Sequence, residues 1–327
     1  MTDQARPSQA APPPAAGRRL PWTDVPAGLR ADAERILGGR VISAVNQPGG
    51  FSPGVAARVV LEDGRRAFVK AVGDLNPESP DIHRAEARIA AALPAGTPAA
   101  RLLGLIDDGG WVILLFEDVD GRMPVQPWRA AELARVLDAL ADLAAALTPA
   151  PIDAPPAAGR FKNLGSGWQQ LAAAALSGAS DQDSLRPWAR VHLEELAALE
   201  TQWPAAVSGA SLAHADVRAD NLLLTRDRVV FVDWPWACLA QPWFDLAGLL
   251  PSVAMQGGPD PEDVFAAHPA ARGADPQKVT AVVAALAGMW TFAGRQPDPP
   301  GLPTLRRFQQ AQGDVALDWL RARDPGF

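Results

Sequence analysis

Strand-like runs occur in only two places along this chain, and that uneven distribution constrains its fold more than any other feature. Val41–Val45, Val55–Glu62, Ala67–Val72, Leu102–Asp107 and Trp111–Phe116 are β-rich and follow one another closely. Asp63-Gly64 and Asp108-Gly109-Gly110 supply the turn chemistry that closes two pairs of them into hairpins. One helix interrupts the series. Ser79-Pro80-Asp81 provides a capping residue, a proline at the first helical position and an acid in the first turn, and the helical pattern runs to Leu93, before Pro94. An amphipathic helix is also expected over Trp22–Leu37, ending at Gly38-Gly39. Beyond a connector at Glu117–Gly121 the pattern turns helical, over 129–147, 166–177, 186–202, 243–250, 262–267, 276–292 and 304–322. A single β-rich island, Leu222–Leu224 and Val229–Val232 around a turn at Thr225–Arg228, breaks that run.

A chain so divided reads as an α+β protein of two lobes. A small antiparallel β unit with one helix, residues 22–120, precedes a larger, mostly helical unit, residues 121–327. The cleft between them is the natural place for a ligand. Residues 1–21, rich in Pro and Ala and without periodicity, read as a disordered tail.

Composition narrows the function classes. Thirty basic against 37 acidic residues, a net charge of −7, argue against a nucleic-acid binder, which needs a dense basic face. Cys238 stands alone, so no internal disulfide framework and no thiolate-rich metal site is expected. The four histidines are scattered. No secretory leader is apparent, and the apolar stretch Val279–Phe292 is too short to span a bilayer, so the reading is a cytoplasmic protein without a membrane partner.

The most informative segment is HADVRADN, residues 214–221, followed by VDW at 232–234. If the hairpin pairs Leu222 with Val232, Asn221 and Asp233 face each other at its open end, and Asp216 lies five residues upstream. Two hard oxygen donors without a Cys or His suit Mg²⁺, which takes few protein ligands and completes its shell with substrate phosphates. Asp216 is then available to orient a hydroxyl and accept its proton.

These residues resemble the catalytic loop and metal-binding aspartate of the protein-kinase-like phosphotransferases. The closest likeness is to the aminoglycoside phosphotransferase and choline kinase branch, whose loop reads His-Gly-Asp with an Asn five residues on. The resemblance implies a protein-kinase-like fold beyond residue 22 and a small-molecule kinase using Mg²⁺ with ATP (or GTP). It implies Asp216 as catalytic base, Asn221 and Asp233 as metal ligands, His214 as a buried support of the loop, and Asp245 as the acid that ties the loop down. Arg218, two residues after the base, would steady charge on the transferred phosphoryl group. Ala215 stands where the family usually has Gly, and Ala219-Asp220 where Pro-Gly is common.

Lys70, in AFVKAV, then matches the strand-three lysine that holds the α- and β-phosphates, and Glu86 its partner on the following helix; an edge-strand lysine and a solvated helix face are the ordinary alternatives. The loop PGGFSPG, with Gly49, Gly50 and Ser52, would cover the phosphates through backbone N–H groups. Glu117 and Val119 would present backbone groups to the adenine edge. No lysine sits in a GxxxxGK[ST] loop. Gly50–Gly54 matches GxSxG, but Pro53 has no N–H to offer an oxyanion and the following run is β-rich rather than helical. No DFG and no APE-type segment follows, as a protein kinase would require. A non-catalytic nucleotide-binding protein on the same fold is the alternative reading.

The acceptor is a small hydroxylated molecule whose class the sequence leaves open. Residues 122–327 carry 17 basic and 22 acidic residues, a slight lean toward a cation, whereas Pro235 follows Trp234 where many small-molecule kinases have an acid. Aminoglycosides, macrolides, choline-like alcohols and sugars all fit. Trp234, Trp236 and Trp243 either line the acceptor pocket or build core beneath the hairpin.

Overall fold

The computed structural model of the protein describes residues 14–51, 53–73, 79–162, 164–177, 184–323 and 326. Its first lobe opens with helix α1 (Ala27–Leu37), which ends where Gly38 adopts the left-handed conformation. Strands β1 (Val41–Asn46), β2 (Val55–Leu61) and β3 (Arg66–Val72) follow, then helix α2 (Ser79–Ala92) and strands β4 (Leu102–Asp107) and β5 (Val112–Glu117). The five strands form one antiparallel sheet in the order β1-β2-β3-β5-β4. Trp22–Asp24 forms a separate 3-10 turn, so the first helix starts later than its apolar pattern suggested.

Alternation along β3 sorts its side chains between two cores. Ala67, Val69 and Ala71 pack with Ala57, Val59, Ile113 and Leu115 under α1. Val72 points to the other face, with Leu114, Phe116 and Ala87 of α2. Lys70 shares this second face by the two-residue period, opposite Leu114 in the register, and β3 lies between β2 and β5. Lys70 is therefore not on an edge strand, and α2 lies on its side of the sheet.

The second lobe contains α3 (Ala130–Ala146), α4 (Ala157–Arg160), α5 (Gly167–Leu176), α6 (Pro187–Val191), α7 (Leu193–Glu200) and α8 (Trp203–Val207). Strands β6 (Ser211–Ala213), β7 (Leu222–Leu224), β8 (Val229–Phe231) and β9 (Cys238–Ala240) form two small antiparallel pairs, β6 with β9 and β7 with β8. Helices α9 (Phe244–Met255), α10 (Pro261–Ala267), α11 (Pro276–Ala293) and α12 (Leu305–Ala322) complete it. The helix expected over 186–202 is broken at His192, and Pro204, which cannot continue a helix, sits in the first turn of α8 instead. One large core built on Trp168, Leu196, Phe231, Leu246 and α11 fills this lobe. No helix among the described residues is long and apolar enough to cross a membrane.

Two expectations need correction. The β7–β8 hairpin pairs Leu222 with Phe231, not Val232. Thr225 N donates to Arg228 O at 2.9 Å, and this closed turn sets Leu224 opposite Val229, which fixes every pair upstream. And residues 14–20 are not a free tail. They lie across both lobes, with Leu20 N donating to Gly54 O at 3.0 Å and Arg18 N to Gly301 O at 2.8 Å.

Candidate active site

The cleft between the lobes holds a cavity of about 310 Å³, lined among others by Gly49, Gly50, Lys70, Glu86, Asn221 and Asp233. Lys70 Nζ lies 2.7 and 2.8 Å from the two carboxylate oxygens of Glu86 and 2.9 Å from Asp233 Oδ1. One ammonium thus joins β3, α2 and the segment after β8, residues 163 positions apart at the extreme. Glu86 is buried on α2 together with His83 and Ala87, the i, i+3, i+4 spacing of one helix face. Burial pushes the Glu86 carboxyl up to about 7, against the pull of Lys70. Burial also works against the Lys70 ammonium, but Asp233 and Glu86 outweigh it and raise its pKa. The Asp233 carboxyl is held below its usual range: burial would raise it, and Lys70 more than offsets that.

The loop before β7 is pinned from beneath. Asp245, in the first turn of α9, accepts from His214 N at 2.8 Å and Ala215 N at 2.6 Å. Burial pushes its carboxyl up to about 6 against those two donors. His214 is fully buried, 4.5 Å from the Trp234 ring. Its Nδ1 accepts from Asp216 N at 3.2 Å, so the proton sits on Nε2, which donates to Val232 O at 2.9 Å. Burial takes the imidazole down to about 4, so the ring is neutral and serves as a brace. Among the described residues Ala215 and Asp233 are the two non-glycine residues with positive φ, at 65° and 68°. The left-handed conformation explains why glycine is favoured at position 215, while aspartate tolerates it at 233.

Asn221 Nδ2 donates to Asp216 O at 2.8 Å and to Asp216 Oδ2 at 3.1 Å. With its amide nitrogen committed to the loop, the Asn221 carbonyl oxygen is the group left for the cavity. Arg218 grips Asp220 through two bonds of 3.0 and 3.1 Å and donates to Asp216 Oδ1 through Nη1. Burial raises the Asp216 carboxyl to about 7, with Arg218 opposing. The guanidinium also lies 5.4 Å over the Phe51 ring. Arg218 is therefore locked between two carboxylates, which the sequence alone did not indicate.

Gly49 and Gly50 line the cavity with φ of 92° and 78°, a backbone that other residues rarely adopt. Ser52 lies outside the described residues. Glu117 and Val119 line the far end. The Val119 carbonyl already accepts from Arg58 Nη2 and Gly121 N, both at 2.8 Å, so it is not the group this connector offers a ligand. On the other side of the catalytic-loop segment a second cavity of about 320 Å³ is lined by Phe51, Phe161, Asp216, Trp236, Trp290 and Phe308 among others. Of the three tryptophans singled out above, only Trp236 faces it; Trp243 is core, 6.0 Å from Phe265, and Trp234 is buried beside the first cavity. Arg19, Phe51 and Phe308 were not recognised in the sequence. The signal for Arg19 is the charged pair Arg18-Arg19 in residues 7–23, a stretch with no other charged residue.

This two-lobed arrangement, a five-stranded sheet over a helical lobe with an acidic loop at the cleft, defines a kinase-like phosphotransferase fold. The chain belongs to the phosphotransferase enzyme family, whose model matches residues 49–282. It is accordingly a phosphotransferase that acts on an alcohol group. Solved structures share the fold at low identity. A thermostable mutant of aminoglycoside phosphotransferase APH(4)-Ia, in ternary complex with AMP-PNP and hygromycin B, aligns with a TM-score of 0.60 and 14% identity over 92% of this chain and 100% of that one. Choline kinase LicA from Streptococcus pneumoniae gives 0.59 and 15% over 90% and 98%. A choline/ethanolamine kinase family protein from Mesorhizobium loti gives 0.54 and 18% over 90% and 98%. No curated protein sequence matches the chain.

Proposed function

We propose that this enzyme transfers the γ-phosphoryl group of Mg-ATP (or Mg-GTP) to the hydroxyl of a small molecule that is neutral and largely apolar. The observation that carries the kinase reading is Lys70, held by Glu86 and reaching Asp233 across the cleft. In that reading Lys70 binds the α- and β-phosphates, and the turn at Gly49 and Gly50 covers them. The connector offers the base edge the Glu117 carbonyl and the Val119 N–H. The donor set fits a magnesium ion: the Asn221 carbonyl oxygen and the Asp233 carboxylate are hard oxygens facing one cavity, and the triphosphate supplies the rest. Bound there, the ion would neutralise phosphate charge.

Asp216 orients the acceptor hydroxyl. As its oxygen bonds to the γ-phosphorus, the bond to the β–γ bridging oxygen breaks, the nucleoside diphosphate leaves, and the hydroxyl proton passes to an Asp216 carboxylate oxygen. Arg218, fixed by Asp220, places positive charge beside this point.

The class of acceptor follows from the second cavity. Its aromatic wall of Phe51, Phe161, Trp236, Phe244, Trp290 and Phe308 suits a hydrophobic face. Among the described residues its carboxylates are Asp216 and Asp245, and Asp245 spends both oxygens on backbone N–H groups. A polycationic aminoglycoside needs several acidic partners, which the described residues of this wall do not supply. The test is a phosphate-transfer screen over neutral macrocyclic and aromatic alcohols, choline and aminoglycosides, with Asp216→Asn as control. Transfer to the neutral, apolar class is expected, with Asp216→Asn inactive yet still binding nucleotide. Efficient turnover of aminoglycosides alone would overturn the acceptor assignment, and an active Asp216→Asn would remove Asp216 as base.

A further inference from the structure

The segment before α1 is built into the nucleotide cleft. Gly54 N donates to Arg18 O at 3.1 Å, and Leu20 N returns the bond to Gly54 O, so residues 18–20 run parallel to the end of the glycine turn. Asn46 Nδ2, at the end of β1, donates to Leu20 O at 2.9 Å. On the other lobe, Arg18 N donates to Gly301 O, and Thr304 Oγ1 donates to Pro14 O at 2.8 Å. The segment is a strap across both lobes, and its middle residue turns inward. The Arg19 side chain lines the same cavity as Lys70, Asn221 and Asp233, and its Nη2 donates to Gly49 O. A Cβ added at Gly50 would meet Arg19 Nη2 at 3.0 Å, which places the guanidinium directly beneath the turn.

That position is unusual for a charge whose only work is structural. Burial acts against it, and the fields of Asp233 and Asp220 restore only part of the loss. A turn read as the cover of a triphosphate, with a guanidinium under it and Lys70 at the back, puts two cations around the place where phosphate charge accumulates. We propose that Arg19 is a second phosphate-binding cation of this enzyme, delivered by the strap to the β- and γ-phosphates and complementary to Lys70 on the opposite side. The inference rests on the nucleotide reading of the cavity.

The test compares the affinities of the full chain and of Arg19→Ala for Mg-AMP-PNP and for adenosine by calorimetry. A charge-assisted hydrogen bond to phosphate corresponds to a loss of about 10- to 100-fold for AMP-PNP. Adenosine, which has no phosphate, should change by less than about twofold on the same grounds. Arg19→Lys, which retains the charge, should recover part of the loss; it also carries the comparison if the alanine variant does not fold, since Lys fills the same space with a single point charge. Equal AMP-PNP affinity in native chain and variants would show a purely structural strap. Tighter AMP-PNP binding by Arg19→Ala would show that Arg19 obstructs the site. Equal losses for both probes would indicate a disturbed cavity; each of these three results overturns the proposal. A native chain that binds neither these probes nor Mg-GMP-PNP removes the nucleotide reading, and Arg19's role with it; if only Mg-GMP-PNP binds, the same comparison is made with it and guanosine.

Discussion

Replacing Lys70 by methionine isolates the energetics of the cleft. Lys70 sits between Glu86, whose side chain is 3% exposed, and Asp233, which is 24% exposed. Methionine fills similar volume without charge, so the deletion leaves two carboxylates where one cation had served both. Asp233 retains partial access to water, whereas Glu86 has none. In the native chain burial already holds the Glu86 carboxyl near 7 against the attraction of Lys70. Without that attraction it should climb to about 8–9, the range of buried carboxyls lacking a cation. A further rise from about 7 to about 8–9 corresponds to about 1–3 kcal/mol. Folding of the variant then takes up a proton at pH 8–9, where folding of the native chain does not. A folded-state pKa raised above the unfolded one means stability is lost as pH increases, so the variant falls behind the native chain as pH climbs through 7 toward 9. Urea unfolding followed by tryptophan fluorescence should show Lys70→Met destabilised by about 2–4 kcal/mol at pH 9 and by about 1 kcal/mol at pH 6, the latter share owed to the mostly buried Asp233. Adding Glu86→Gln should abolish the pH dependence. A deficit of equal size at pH 6 and pH 9, or a double variant that keeps the slope, would refute this account of the ion pair.

Two further outcomes follow from the loop before β7. Ala215 holds φ of 65°, a conformation that costs a residue with a Cβ about 1–2 kcal/mol, against about 0.5–1 kcal/mol of extra chain entropy for glycine. Ala215→Gly should therefore raise the thermal midpoint, with a gain near 0.5–1 kcal/mol; a lower midpoint would show that the methyl group packs better than the strain costs. Asp245→Asn keeps one acceptor for His214 N and Ala215 N and turns an amide N–H₂ on the other. A loss of about 2 kcal/mol in unfolding free energy is expected, with kcat falling more than nucleotide affinity because the loop carries Asp216. Unchanged kcat in a folded Asp245→Asn chain would separate the anchor from catalysis.

Much of this molecule is legible in local patterns, because those patterns are set by short-range physics. The two-residue period of AFVKAV sets Lys70 on one face of its strand and the cap at Ser79-Pro80-Asp81 starts the helix that carries Glu86, while their pairing was legible through the likeness of order and spacing to the kinase family. HADVRADN and VDW mark their loop in the same way. Other features lack a local signature. Three-residue strands such as β6 and β9 are too short for periodicity to show, and the register of β7 with β8 turned on how tightly Thr225 and Arg228 close. Arg19 lies in a Pro/Ala-rich stretch with no pattern of its own; its place in the cleft depends on Asn46 and Gly54 on one lobe and Gly301 and Thr304 on the other bonding the strap. The aromatic wall of the second cavity is drawn from residues as distant as Phe51 and Phe308, whose rings meet at 5.2 Å. A net charge summed along the chain says nothing about which charges face that wall. The sequence by itself determined the lobes, the sheet face of Lys70 and the composition of the acidic loop, since each depends on neighbours a few residues away. Only the tertiary structure decided which distant side chains line the two cavities, since those contacts arise when the lobes pack together.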